Sequence, residues 1–410
     1  MSDGLDAAID RLAQFNDDPE AGGITREVFT PTYSEALEWV AERMRGAGLE
    51  TRIDAFGNLW GRWAGSEPER VITGSHVDTT LNAGRYDGVV GVLGAIEAVR
   101  SLRDSGFAPR RTLEVIAVAG EEPRFGTGCI GSRALVGALG PDALEVMRDR
   151  DGVSLADALR GAGFDPGRIA EARLDPETVH AFVELHIEQA AVLETTGEPI
   201  GVVTAIAAPH DLRLILRGAA THAGATPMAL RRDALAGAAE VMTALERLAR
   251  QSESGTTVGT VGVLRLRPGA INVVPGEVEL DVDVRDSDLA AREAVVKGLL
   301  DAAREIAGRR DLDVEVEPIV EDTPVQCDDA VVAAAEAACE ELGLPYRRMT
   351  SGAYHDAMIL AAEVPVGMIF VPSAGGISHH PDKYTAPEQL DAAVRVLAGV
   401  LARLSQNPSR

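Results

Sequence analysis

Imidazoles and carboxylates at the ends of apolar runs are the residues of this chain best placed to do chemistry. The stretch from Val71 to Val90, VITGSHVDTTLNAGRYDGVV, reads as an apolar strand that delivers His76 and Asp78 into a glycine-rich loop carrying Asp87. Further on, VIAVAGEEPRF leads into Glu121 and Glu122, HAFVELHIEQ ends around His186, and VGMIFVPSAGGISHHP ends near His379 and His380. Such groups beside buried strands are costly unless something pairs them, and a divalent metal ion is a common partner. Histidine nitrogen and carboxylate oxygen without thiolate suit zinc, manganese or cobalt in an open, catalytic site. Any one of these histidines alone reads more readily as structural, but four strand ends followed by metal-type side chains form a constellation.

The elements that must position them alternate between strand and helix. Helical spacing appears over residues 3 to 15 and 31 to 47, the second opening at Thr30-Pro31. Short strands come next in LETRID and NLWGRWAG, then the His76 strand, the helix GVVGVLGAIEAVRSLRDSG and the strand TLEVIAVAG. This alternation predicts an α/β architecture with a mostly parallel sheet, whose ligand crevice lies outside the carboxyl ends of its strands. From His210 the order becomes strand, helix, strand, strand, helix, strand, the βαββαβ of a ferredoxin-like unit. We therefore expect residues 1–208 and 325–410 to form a catalytic domain and residues 209–324 an inserted second domain. The segment from about Pro141 to Pro176 reads as a surface insertion.

Composition narrows the function classes. The 410 residues include 39 basic and 64 acidic ones, a net charge of −25. So acidic a surface repels nucleic acid and anionic membranes. Cys129, Cys327 and Cys339 are too few and too scattered for a disulfide framework, and no CxxC pair occurs. The acidic start MSDGLDAAIDRLAQF lacks a signal peptide's basic region, and no apolar run approaches a membrane span, so a soluble, cytoplasmic protein is expected.

The motifs GSHVDT, GRYDGVVGVLG, EEPRFGTGCIGSR, ELHIEQ, THAGATPM, INVVPG, SGAYHDA and MIFVPSAGGISHHPDKYT occur in that order from Gly74 to Thr385. In this the chain resembles the di-zinc aminoacylase and carboxypeptidase-like metallohydrolases. More closely it resembles their branch of N-carbamoyl-L-amino-acid hydrolases, allantoate amidohydrolases and ureidoglycolate amidohydrolases. The resemblance implies two divalent ions per chain, one on His76, Asp87 and His186 and the other on Asp87, Glu122 and His379, with Asp87 bridging. Neighbouring residues at a strand end face opposite ways, so Glu121 points elsewhere than Glu122 and is read as general base and acid. Asp78, two residues after His76 on the same strand face, is read as the group that orients that imidazole. Substrate binding would fall to His222, Asn272, Arg285, Gln189 and His355, with Arg285 on the substrate carboxylate. The inserted domain would serve as dimerisation and lid domain of a homodimer.

Several positions depart from the family pattern. EEPRF is one residue shorter than the usual EEGSRF, Tyr354 and Ala190 stand where glycine is frequent, and Lys383 replaces a frequent glutamate. None removes a ligand, though His380 beside His379 leaves the choice of ligand open. The resemblance implies a metal-dependent amidohydrolase cleaving the ureido or carbamoyl C–N bond of a small carboxylic acid. An aminoacylase or peptidase of the same superfamily is the alternative, and a metal-binding protein without catalysis is a third class.

Overall fold

The structure is a computed structural model that describes residues 4–376 and 380–406. Its chain divides into two compact units, residues 1–204 with 327–410 and residues 205–326.

In chain order, unit 1 opens with strands β1 (Glu50–Ile53), β2 (Leu59–Trp63), β3 (Glu67–His76), β4 (Arg111–Val118), β5 (Val179–Ile187) and β6 (Ile200–Ile206). Unit 2 contains β7 (Ala208–Arg217), β8 (Thr221–His222), β9 (Val258–Arg267), β10 (Val273–Val274), β11 (Glu277–Asp286), β12 (Asp313–Glu321) and β13 (Val325–Gln326). The chain then returns to unit 1 with β14 (Tyr346–Ser351) and β15 (Val366–Val371).

The large sheet runs in the order β1-β2-β4-β3-β5-β15-β6, with β14 also beside β6. Its centre, β4-β3-β5-β15, is parallel, whereas β2 joins β4 and β6 joins β15 antiparallel. The expected mostly parallel sheet is therefore confined to the middle. Every residue of β4, RTLEVIAV, is buried, as a strand covered on both faces requires. The helices Val89–Asp104 and Pro387–Gln406 pack on one another and on β3 and β5. These layers hold the ends of β3, β4, β5 and β15 at one rim, where parallel strands deliver their side chains.

Unit 2 has the βαββαβ order, and its four-stranded antiparallel sheet runs β12-β7-β11-β9. Along β11 buried and part-exposed residues alternate strictly, so Val278, Leu280, Val282 and Val284 face a core shared with the helices Ala234–Arg250 and Leu289–Arg310. The opposite face is charged, with Arg213 on Asp281 and Arg217 on Glu277. The small pair β8-β10 stands apart from that sheet. Where the chain crosses between units, β13 pairs antiparallel with the end of β6, Val325 opposite Ile206. No helix among the described residues is long and apolar enough to cross a membrane.

Candidate active site

His76 is the last residue of β3 and is buried, its Nδ1 donating to the carbonyl of Asp78 at 3.0 Å. His186, near the end of β5, is held the same way: its Nδ1 donates to the Ile187 carbonyl at 2.9 Å. With each Nδ1 spent on a carbonyl, Nε2 is the nitrogen left to face the carboxylates, Glu121 for His76 and Asp87 for His186, the orientation usual for metal-binding imidazoles. The two rings stack at 6.0 Å between centroids. Asp87 places Oδ1 at 3.3 Å from His186 Nε2, and His76, Asp87 and His186 can bring one ligand atom each within 4.8 Å of one another.

Gly88 lets the chain before the helix pass close against both imidazoles. Its φ of +63° starts the helix Val89–Asp104, its amide donates to His186 Nε2 at 3.2 Å, and a Cβ there would lie 2.3 Å from His76 Cδ2. Only glycine fits that conformation and that gap.

Glu121 and Glu122 lie in the turn beyond β4, so the alternation of a strand does not set their directions, contrary to the expectation from sequence. A left-handed Gly120 starts the turn, and Glu121 Oε2 comes to 3.6 Å from His76 Nε2. Burial lifts the Glu121 pKa well above the usual carboxylate range, and burial raises that of Glu122 to about 8. Burial opposes a charge on His76, but Glu121, Asp78, Glu122 and Asp87 outweigh it and raise its pKa to about 10. Burial lowers that of His186 to about 4.

Asp78 differs from its expected role. β3 stops at His76, so Asp78 is off the strand, and its carbonyl rather than its carboxylate holds the imidazole. The carboxylate, 3.7 Å from His76 Nδ1, instead accepts the amides of Gly120 and Glu122 at 3.1 and 3.0 Å, and that of Glu121 at 3.4 Å. It thus shapes the turn that carries both glutamates. The insertion braces the same region: Arg124 pairs with Asp149 at 3.0 Å, and Arg150 grips Glu27 with two hydrogen bonds of 2.6 and 2.8 Å.

Gln189, at a left-handed φ of +60°, donates its amide to Asp87 Oδ1 at 3.2 Å, while its Oε1 is buried without a hydrogen-bond partner among the described residues. His355 packs edge-on against His186 at 4.6 Å, and burial keeps it neutral by pushing its pKa well below the ordinary value. Lys383, which sequence analysis noted only as a departure, is fully buried with Nζ 2.5 Å from Asp87 Oδ2. His379 lies outside the described residues.

The remaining expected residues belong to unit 2. His222 and Asn272 meet at the β8-β10 pair, where the Ala223 amide donates to the Asn272 carbonyl at 2.8 Å. His222 Nδ1 accepts the amides of Gly224 and Ala225 at 3.1 and 3.2 Å, which leaves the proton on Nε2. Arg285 is on β11 of the other sheet and is engaged by Asp283, its Nε 2.9 Å from each carboxylate oxygen. His180 and His210, taken as structural, pair with Glu69 at 3.7 Å and Glu293 at 3.0 Å.

The unit 1 pocket fits a divalent cation. It gathers Asp78, Asp87, Glu121 and Glu122 around His76, places the Nε2 atoms of His76 and His186 toward Glu121 and Asp87, and among the described residues leaves Gln189 Oε1 unsatisfied. Nitrogen and oxygen donors at an α/β sheet rim define a metallohydrolase-type site. The chain belongs to peptidase family M20/M25/M40, whose pattern matches residues 72–403. It is 45% identical over 412 residues to a ureidoglycolate hydrolase of Oryza sativa subsp. japonica, covering 98% of this chain and 85% of the relative. It is 45% identical over 389 residues to an N-carbamoyl-L-amino acid amidohydrolase of Geobacillus stearothermophilus, covering 94% of each. A crystal structure of AtUAH in complex with (S)-hydroxyglycine superposes with a TM-score of 0.83 at 43% identity, covering 98% of this chain and 97% of that one.

Proposed function

We propose that this chain is a metal-dependent amidohydrolase that cleaves the ureido or carbamoyl C–N bond of a small carboxylic acid and releases ammonia. Ureidoglycolate or allantoate stands ahead of N-carbamoyl-L-amino acids as substrate. The observation that carries this reading is the Glu121 carboxylate 3.6 Å from the Nε2 of His76, inside the carboxylate-rich pocket of a chain similar along its length to amidohydrolases of that kind. The (S)-hydroxyglycine bound by AtUAH is what remains of ureidoglycolate when its carbamoyl group is removed, which favours the ureido acid.

His76, Asp87 and His186 would hold one divalent ion of zinc, manganese or cobalt, and Asp87, Glu122 and His379 a second. When bound, these ions polarise the scissile carbonyl and make water a better nucleophile. Glu121 takes the proton from the attacking water and gives it to the leaving nitrogen. Its burial beside His76 suits that task, because a carboxylate in a poorly solvated place is a stronger base. His222, with its proton on Nε2, donates to the carbonyl oxygen as negative charge grows there. Arg285 takes the substrate carboxylate, for which its planar fork is suited, and Asn272, Gln189 and His355 complete substrate binding.

Unit 2 we assign to dimerisation and to a lid over the substrate. Its edge strand β9 leaves Val258, Val263 and Leu264 exposed, a surface suited to pairing with a second copy. Light scattering that finds an active monomer would argue against the dimer. Three buried cysteines, with no disulfide among the described residues, suit the cytoplasm.

The test is ammonia release by the metal-loaded protein from ureidoglycolate, allantoate, N-carbamoyl amino acids, N-acetyl amino acids and dipeptides. Turnover of the ureido acids is expected. Activity confined to the last two, measured as amine release, would make the chain an aminoacylase or peptidase.

A further inference from the structure

Of the chain's 39 basic residues only two, Lys297 and Lys383, are lysines. Lys297 is a surface residue, its side chain 79% exposed, whereas that of Lys383 is 0% exposed and sits on Asp87. An ammonium is a compact point charge, unlike the broad guanidinium used almost everywhere else in this protein.

The two oxygens of Asp87 face different partners. Oδ1 looks toward His186 Nε2 at 3.3 Å, while Oδ2 receives Lys383 Nζ at 2.5 Å. With Oδ1 turned to the His186 side, Oδ2 is the oxygen Asp87 would have left for a second ion, and the ammonium of Lys383 holds it. Glu122 and Glu121 also feel the charge of Lys383. The placement is built in: the Lys383 amide donates to the His380 carbonyl at 3.1 Å, Thr385 Oγ1 donates to the Pro372 carbonyl at 2.9 Å, and Tyr384 packs edge-on against Tyr86. Gly84 lets the lysine stem pass, since a Cβ there would come within 2.7 Å of Lys383 Cβ.

We infer that Lys383 is an internal cation that competes with the second metal ion for Asp87 Oδ2, so that the two metal sites differ widely in affinity and only the His76–Asp87–His186 site fills at low free metal. This rests on the metal-dependent reading above. Two positive charges cannot share one carboxylate oxygen in a buried pocket without strong repulsion, so taking up the second ion requires Lys383 to withdraw. The second site then acts as a sensor of metal supply, filled only when the ion is abundant.

The experiment measures bound metal by mass spectrometry across a series of zinc or manganese buffers, for the full-length protein and for Lys383→Met and Lys383→Gln. In the unaltered protein one ion should bind tightly and a second at least about ten-fold more weakly, and either substitution should tighten the second by about ten-fold or more. Amine labelling gives a second readout that needs no variant. Lys297 labels throughout as the internal reference, while Lys383 is protected at low metal and changes reactivity as the second ion enters. Two ions bound with equal affinity in the unaltered protein, or a second constant and a Lys383 labelling rate indifferent to these changes, would overturn the inference. Binding of no ion by any of the proteins would instead overturn the metal-dependent reading itself.

Discussion

In unit 1 the side chains of His76, Asp78 and Asp87 are 2, 1 and 2% exposed, whereas on the sheet face of unit 2 Arg213 and Asp281 meet at 32 and 19% exposure and Arg217 and Glu277 at 44 and 24%. Both regions set charges of opposite sign side by side, but the surroundings change what the contacts are for. On the open face water screens each pair and replaces either partner when it is lost, so the pairs chiefly keep the sheet solvated and in register. In the buried pocket nothing replaces a lost partner, and each carboxylate must be answered by an amide, an imidazole, the lysine or a metal ion. Charge on that open face of unit 2 is therefore decoration that can be traded, while charge in the buried pocket of unit 1 is a set of demands that define a ligand.

The sharpest way to test that contrast is Glu121→Gln. It keeps shape and burial but removes the base, so kcat should fall by about 10³-fold or more, while metal content and melting temperature stay near those of the unaltered protein. Near-normal turnover in a steady-state assay would place the base elsewhere. Chelation should abolish turnover and lower the melting temperature, and zinc or manganese should restore both, because carboxylates that demand a cation lose it together. Asp78→Ala should destabilise the protein by about 3 kcal/mol in urea unfolding, since three backbone amides lose a buried charged acceptor. A loss no larger than that of a surface substitution would mean the turn is held by other contacts. Arg285→Ala should raise KM about ten-fold or more for every carboxylate substrate with less effect on kcat, read from initial rates. At the other end, Lys297→Ala, which removes an exposed pair with Asp301, should leave the melting temperature within about 1 °C. A larger change would blur the distinction between the two regions.

Much of unit 1's site is legible in the sequence because parallel strands announce themselves as apolar runs and deliver the residues at their carboxyl ends to one rim. His76, Asp87, Glu121, Glu122 and His186 each stand in or just beyond such a run, and the βαββαβ order of unit 2 is readable from the alternation in EVELDVDVR and its neighbours. Hidden from the sequence is the work of the loops. The counting of strand faces places the Asp78 carboxylate beside His76, yet β3 ends two residues too soon, and the carboxylate turns to the amides of residues 120–122. Gln189 reaches Asp87 through a left-handed backbone that no periodicity encodes. Lys383 meets Asp87 across 296 positions of chain, and its one signal is that it departs from the pattern of the family the sequence resembles. For Arg285, the resemblance implies a clamp for substrate, but only the packed sheet reveals that Asp283 already engages it.

The pairing of Val325 with Ile206 has a consequence for engineering. The chain departs from β6 and comes back along β13, its hydrogen-bonded neighbour, so in connectivity the residues between them are an excursion from one strand of a pair to the other. Two strands in that register can be joined by a tight turn of about two residues. The excursion could thus be cut away, leaving a shortened protein that retains the strands bearing the metal-type ligands, and the same gap could receive a foreign domain whose ends lie one rung apart.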